Sequence, residues 1–524
     1  MIIPRLAAAT ALLLAATAPS QSVDEAALAR IAEEGTQRSE VMATAQYLAD
    51  VIGARLTNSP GAREAEAWTQ QRFREWGLAN IHKEGFDFGR GWWIERSSVH
   101  MVAPRPARLA ALPISWTPPT PGPVRGAVIF APMSKEADFA QWRGKLAGRI
   151  VLVSPPDAAH TPPVAAAQSD AELAEMEAAR PASIPPADSE KIIDKYSRFP
   201  KALDRFLKAE GALAWVSMSR LDGTLVMSDG KGFAVGETPL LPGVGMAVED
   251  YRRLVRLVQL GQAPELEIDS RVHFDDSDPQ AYNIFAEIPG SDPKAAYVMA
   301  GAHLDSAAAA DGAADDGAGV AMVMEAARIL TKMPKPKRTI RFVLWGAEEQ
   351  GMLGLLAFTE KNYATRGVPA GRSAYERFLT WADTWPIVPR PGWNDLSVYF
   401  NLDNGAGKIR GIYADGHLAA IPVFRQWFAP FAKQGASTVA AYADGGAEHD
   451  FLQMTGLPGF QFIQDWNDYG RMHHTTMDTF DHLVADDMRQ ASIVLASILW
   501  NAANASQPFP RRPIPTGPRP GSPG

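Results

Sequence analysis

Three short clusters of imidazole and carboxylate side chains hold the chemistry this chain can do. His303 and Asp305 stand in Ala302-His303-Leu304-Asp305-Ser306, Asp315 and Asp316 are adjacent in Asp315-Asp316-Gly317-Ala318-Gly319, and Glu348 and Glu349 follow a Gly346-Ala347 turn. Imidazole nitrogen and carboxylate oxygen are the donors that divalent zinc takes in catalytic centres, and a carboxylate beside the ligands can act as general base. Together the clusters supply most of a hydrolytic site built on two metal ions. Asp403, in Asn401-Leu402-Asp403-Asn404-Gly405, and the pair His473-His474, ahead of Thr475-Thr476-Met477-Asp478-Thr479, offer further donors. There is no cysteine, so disulfides, thiolate ligands and a cysteine nucleophile are excluded, and every metal ligand must be His, Asp or Glu.

Each of these residues also has a plain structural use. An aspartate where a helix opens serves as an N-cap, and the helix terminus stabilises its charge. Adjacent glutamates at a strand end are commonly solvated, an Asn-Leu-Asp-Asn-Gly run suits a turn, and a histidine pair in a loop is commonly exposed. Order and place favour the site. Ala296 to Ala300 reads as a strand ending at His303, Thr339 to Trp345 as a strand ending at Glu348, and Val398 to Phe400 as a strand ending at Asp403, with helices at Val320 to Leu330 and Leu353 to Lys361. Near-continuous apolar strands alternating with helices predict an α/β fold with a largely parallel sheet covered on both faces. Sites in such sheets lie just past the carboxyl ends of the strands, where these candidates fall. Strand alternation points His303 and Asp305 the same way, so that one can bind metal while the other fixes the imidazole through its distal nitrogen. Successive glutamates diverge, so one can ligate a metal while its neighbour faces the bound water.

At 524 residues the chain exceeds what one core supports, so two or three units are expected. Residues 1–22 have one cation, Arg5, then an apolar run from Leu6 to Ala18 and small residues before Pro19, the layout of a secretory signal. The run is too short for the roughly 20 residues of a membrane span. The mature protein is therefore expected to be exported, periplasmic or secreted, and free of the membrane after cleavage. The strand, loop, helix rhythm marks residues 273–506 as the main domain. Residues 105–272 open on a proline-dense stretch, continue into strand-like runs at Ala127 to Phe130 and Arg149 to Val153, and form a separate smaller α/β unit. Residues 507–524, with seven prolines and three glycines, are expected to be disordered. The net charge of −8 and the lack of a basic run exclude a nucleic-acid partner.

The set His303-Leu304-Asp305, Asp315-Asp316-Gly317, Glu348-Glu349, Asp403 and His474-Thr475 resembles that of the co-catalytic two-zinc exopeptidases, a group of aminopeptidases and glutamate carboxypeptidases. The segment 105–272, with Gly144-Lys145-Leu146-Ala147-Gly148-Arg149-Ile150-Val151, resembles a protease-associated domain inserted into such a peptidase. The resemblance implies that residues 23–104 are the first part of the main domain, and it implies two zinc ions per chain. His303 and Asp403 would bind one, Glu349 and His474 the other, and Asp315 would bridge them, with a cis bond to Asp316. Glu348 would be the general base for a zinc-bridging water and Asp305 would orient His303. Where many relatives carry tyrosine before the last ligand this chain has His473, which would stabilise the tetrahedral intermediate. His449, after Glu448, is the rival to His474 as ligand. Peptide bonds at a chain terminus or in short peptides are the expected substrate; whether an amino or a carboxyl terminus is recognised, and whether the protein forms a homodimer, stays open. The alternatives are a single-zinc glutaminyl cyclase of the same fold and a non-catalytic homologue like the transferrin receptor ectodomain.

Overall fold

The computed structural model describes residues 23–517 except 162–163, 165–166, 180–187, 238 and 443–444. The expected signal sequence and the last seven residues of the expected tail lie outside the described residues. Among the described residues, no helix is long and apolar enough to cross a membrane.

Strands with apolar residues on both faces build the first sheet. Its order is 79–87, 280–288, 340–345, 297–303, 396–401, 459–464, 409–413 and 438–440. The strand Tyr297–His303 pairs in parallel with Ile340–Trp345 on one side and Leu396–Asn401 on the other, and Leu396–Asn401 pairs in parallel with Gly459–Gln464. These four parallel strands form the middle; antiparallel pairing of Gln280–Ile288 with Ile340–Trp345, and of Ile409–Tyr413 with Gly459–Gln464, makes the sheet mixed. Alternation along Ile340–Trp345 sends Ile340, Phe342 and Leu344 into one apolar core and Val343 and Trp345 into the other. The first core is closed by the helices Ala318–Leu330, buried along its whole length, and Ala485–Asn504, and the second takes in Leu353, Leu355, Leu356 and Phe358 of the helix Leu353–Asn362. The expected α/β sheet with covered faces is what the chain forms.

Every strand of the second sheet lies between Gly91 and Asp275 in sequence. Its parallel strands Val124–Phe130, Arg149–Leu152, Ala214–Met218 and Gly243–Met246 are covered on one face by Val248, Tyr251, Leu254 and Val255 of the helix Val248–Gln259. Ala202, Leu203, Phe206 and Leu207 of the helix Phe199–Ala209 cover the other. This inserted unit begins before the boundary drawn at residue 105, because Gly91–Ala103 pairs with Glu265–Asp275 inside it. The proline-dense stretch supplies the short strand Ala111–Pro113 and the approach to Val124. The joint is a two-stranded ribbon. Asp87 pairs with Gln280 in the first sheet and Gly91 with Asp275 in the second, so both crossings run side by side.

Residues 507–517 depart from the expected disorder. Phe509 is buried against Phe424, Trp427 and Phe460, Pro510 accepts a hydrogen bond from His417 at 3.0 Å, and Arg511 donates to the carbonyl of Trp393 at 3.0 Å. One aromatic anchor and two backbone-bound groups outweigh a composition that suggests an unfolded tail.

Arg55 is the fully buried peg beneath the site loops. Its guanidinium donates to the carbonyls of Leu304 at 2.9 Å, Asp311 at 2.8 Å, Gly312 at 2.8 Å, Gly53 at 3.1 Å and Leu48 at 3.3 Å. Replacing it with methionine strands several buried carbonyls, each costing about 1–3 kcal/mol if left unpaired. Arg55→Met is expected to destabilise the protein by at least about 3 kcal/mol, read as a fall in the denaturant midpoint, and to weaken metal binding because the 304–312 loop joins His303 to Asp315.

Candidate metal centre

The loops at the carboxyl ends of the parallel strands converge on Asp315. His303 is the last residue of its strand, Asp403 follows the strand Leu396–Asn401, Glu349 lies in the turn after Ile340–Trp345, and His474 follows Gly459–Gln464 through the one-turn helix Tyr469–Met472. On one side of Asp315, His303 Nε2 lies 3.2 Å from its Oδ1 and 3.6 Å from Asp403 Oδ1. On the other, His474 Nε2 lies 3.5 Å from Asp315 Oδ2 and 2.8 Å from Glu349 Oε2. Ligands bound to zinc at about 2.0–2.1 Å in a tetrahedron sit roughly 3.3–3.4 Å apart. The separations of 3.2, 3.5 and 3.6 Å suit the edges of a coordination sphere, and the 2.8 Å between His474 and Glu349 is of hydrogen-bond length. Potential donor atoms group as His303, Asp315 and Asp403, and as Asp315, His473 and His474.

The adjacent aspartates divide two jobs. Asp316 accepts from Gly319 N–H at 3.1 Å, capping the helix, and from His303 N–H at 3.1 Å. Asp315 faces the His303 and His474 rings, and the bond between the two aspartates is cis. Asp478 accepts from the N–H groups of Ala314 at 2.6 Å and Asp315 at 3.1 Å, holding the segment that carries Asp315.

Both site histidines are pinned through Nδ1, which leaves Nε2 facing the carboxylates. For His303 the acceptor is the backbone carbonyl of Asp305 at 2.9 Å, whereas the Asp305 carboxylate is 3.9 Å away. The orienting contact expected of the Asp305 side chain is therefore made by its main chain. The strand ends at His303, so alternation does not carry to residue 305. The Asp305 carboxylate instead accepts from Glu348 N–H at 3.0 Å, Glu349 N–H at 3.3 Å and the Thr57 hydroxyl at 3.0 Å, fixing the turn that bears both glutamates. For His474 the acceptor is Asp229, 3.1 Å from Nδ1 and contributed by the inserted unit. Sequence reading did not single out Asp229, which sits in an irregular run with no periodicity to mark it. His473 stacks on His474 with ring centroids 4.0 Å apart, and its Nε2 is 3.8 Å from Asp315 Oδ2. His449 is buried away from this group, 3.8 Å from Asp415.

Charge fits a cation here. Burial pushes the Asp403 carboxyl up to about 7 and Asp305 to about 6, and lifts Glu348 and Asp316 well above the carboxylate range, with neighbouring carboxylates adding to the effect. Burial opposes a charged His303, but Asp315 and Asp403 outweigh it and hold the ring well above the usual imidazole value. Burial would raise Asp315 too, yet His473, His303 and His474 around it keep it below the carboxylate range. So many buried carboxyl groups about so few imidazoles call for positive charge. Asp315 Oδ2, which faces His474, and Glu349 Oε1 are buried without a hydrogen-bond donor, as free ligand atoms would be.

The sheet order and the place of this cluster define a metallopeptidase of the zinc exopeptidase fold. Over 95% of this chain and all of that one, with a TM-score of 0.67 and 22% identity, the fold is similar to the peptidase M28 precursor from Shewanella amazonensis. It is likewise similar to the zinc aminopeptidase of Bacillus subtilis, with a TM-score of 0.55 and 19% identity over 89% of this chain and 95% of that one. Residues 283–499 match Peptidase family M28. Among curated proteins it is similar to carboxypeptidase Q of Bos taurus, 26% identical over 468 residues that span 88% of this chain and 85% of that protein.

Proposed function

We propose that the protein is an exported zinc-dependent exopeptidase that hydrolyses peptide bonds at a chain terminus or in short peptides. The observation that carries this reading is Asp315 standing between two half-sites, with His303 and Asp403 on one side and His474 and Glu349 on the other. Each half would hold one zinc, with Asp315 shared. Bound zinc would polarise the scissile carbonyl and make a nearby water more acidic.

The chain's own residues do the rest. Glu348, lifted by burial, takes a proton from the attacking water and returns it to the leaving amine. Burial holds His473 below the usual imidazole range, so at neutral pH it is an uncharged ring with one N–H to offer the developing oxyanion. The inserted unit limits access. Its segment carrying the helix Asp170–Ala178 reaches the edge of the first sheet, where Leu173 packs on Tyr413 and Ile463 and Gln168 Nε2 donates to the carbonyl of Gln464 at 2.7 Å. Such cover suits a terminus or a short peptide better than the middle of a folded chain.

Zinc analysis of purified protein, run beside a panel of aminoacyl, carboxyl-terminal and dipeptide substrates, tests the reading. About two zincs per chain with cleavage confined to one terminus is the expected result. A protein that takes up no zinc and cleaves none of the panel would overturn it.

A further inference from the structure

Resting on that reading of the metal centre, we infer that the inserted unit is a working part of it, with Asp229 the positioning residue for His474 and Lys231 a clamp on Glu349. The run from Val226 to Lys231 belongs to the inserted unit by sequence and lies against both ligands of one half-site. Asp229 Oδ2 takes the Nδ1 side of His474 at 3.1 Å, which leaves Nε2 for Glu349 and Asp315. Lys231 Nζ donates to the Glu349 carbonyl at 2.6 Å. The backbone beside His474 is fastened to the same run by Thr476 N–H to the Val226 carbonyl at 3.1 Å and Val226 N–H to the Thr476 hydroxyl at 3.2 Å.

The run is itself held rigidly. Leu225, Val226, Met227 and Ser228 are buried, and Ser115 N–H and hydroxyl both donate to the Ser228 carbonyl, at 2.8 and 3.0 Å. A Cβ placed on Gly230 would meet the Ser115 carbonyl oxygen at 2.0 Å, so the chain passes there with no room to shift. Phe233 stacks on Phe88 with centroids 4.7 Å apart, anchoring the far end. A carboxylate on so fixed a frame can set the ring direction and basicity of a metal-binding histidine, an effect worth about 10–100-fold in metal affinity. No comparable contact from the inserted unit reaches His303 or Asp403 among the described residues. The two half-sites therefore differ: one is built wholly by the first sheet, the other depends on the inserted unit.

The test uses zinc as probe and the full chain. Zinc affinities of wild type, Asp229→Ala and Asp229→Asn are measured by chelator competition, and cobalt-substituted forms are compared by their visible spectra. The expected result is a loss of about 10–100-fold in affinity for one zinc in Asp229→Ala, a smaller loss in Asp229→Asn, whose amide oxygen still accepts, and a change in the cobalt bands of that half-site alone. Should Asp229→Ala fail to melt cooperatively, Asp229→Asn decides, since the exposed edge of the pair adds little to folding. Two zincs held with wild-type affinity in both variants would overturn the inference while leaving the two-zinc reading intact. A wild-type chain that binds no zinc would end both.

Discussion

Replacing Glu348 with glutamine is expected to leave zinc content unchanged and to cut kcat by about 10²–10⁴-fold, the range a positioned general base contributes. The glutamine keeps the size of the side chain and the backbone N–H that donates to Asp305 at 3.0 Å, so the turn and its neighbour Glu349 stay in place. What it loses is a site for the proton. Burial raises the Glu348 carboxyl, His303 opposes the rise, and Asp403, Glu448 and Glu349 add to it. A carboxyl raised in this way holds a proton more readily than an exposed glutamate does, which suits a group that must accept one. Steady-state kinetics with metal analysis on the same samples separates the cases: a Glu348→Gln enzyme that turns over as wild type does removes Glu348 from the base role, and one that has lost its zinc shows a ligand instead.

The second large effect is expected at Asp315. Because its two oxygens face the two half-sites, with Oδ1 towards His303 and Oδ2 towards His474, Asp315→Ala should lower zinc content to below about one per chain and bring activity to background. The same logic predicts that stripping zinc from wild type lowers stability by about 2.7 kcal/mol for each site held at 100 times its Kd, through the loss of ligand binding to the folded state. A thermal melt with and without chelator reads this. For Asp315→Ala the chelator should make little further difference. A variant that retains two zincs would place the shared position elsewhere.

Most of the frame of this site was legible in the chain because its strands are apolar on both faces, and such runs end where the polar ligands begin. Ile340 to Trp345 shows this: buried side chains alternate between two cores, and the chain turns polar at Glu348-Glu349 as soon as the strand stops. The adjacent aspartates were legible as two uses of one residue type, a cap and a ligand, and the structure gives the cap to Asp316. Other features depend on contacts between segments far apart in sequence. The direction of the Asp305 carboxylate is set by two amides of another strand's turn, and no local period encodes that. Asp229 stands in an irregular run whose path is fixed by Ser115 and by packing around Phe233. The ordered tail rests on Phe509 finding a pocket between helix and sheet, which composition cannot foresee.

The ribbon that joins the two sheets has a bearing on how such a chain could gain or lose its second unit. Asp87 and Gln280 already face each other as antiparallel partners, and the N–H groups of Phe88 and Gly89 bond the Pro279 carbonyl at 3.0 and 2.9 Å. A two-residue turn between those strands would convert the junction into an ordinary hairpin, with no strand of the first sheet displaced. The inserted unit is thus a modular addition in its backbone, while Asp229 and Lys231 tie it to His474 and Glu349. Excision would leave the first sheet intact, with His303 and Asp403 supported and His474 without Asp229 at its Nδ1.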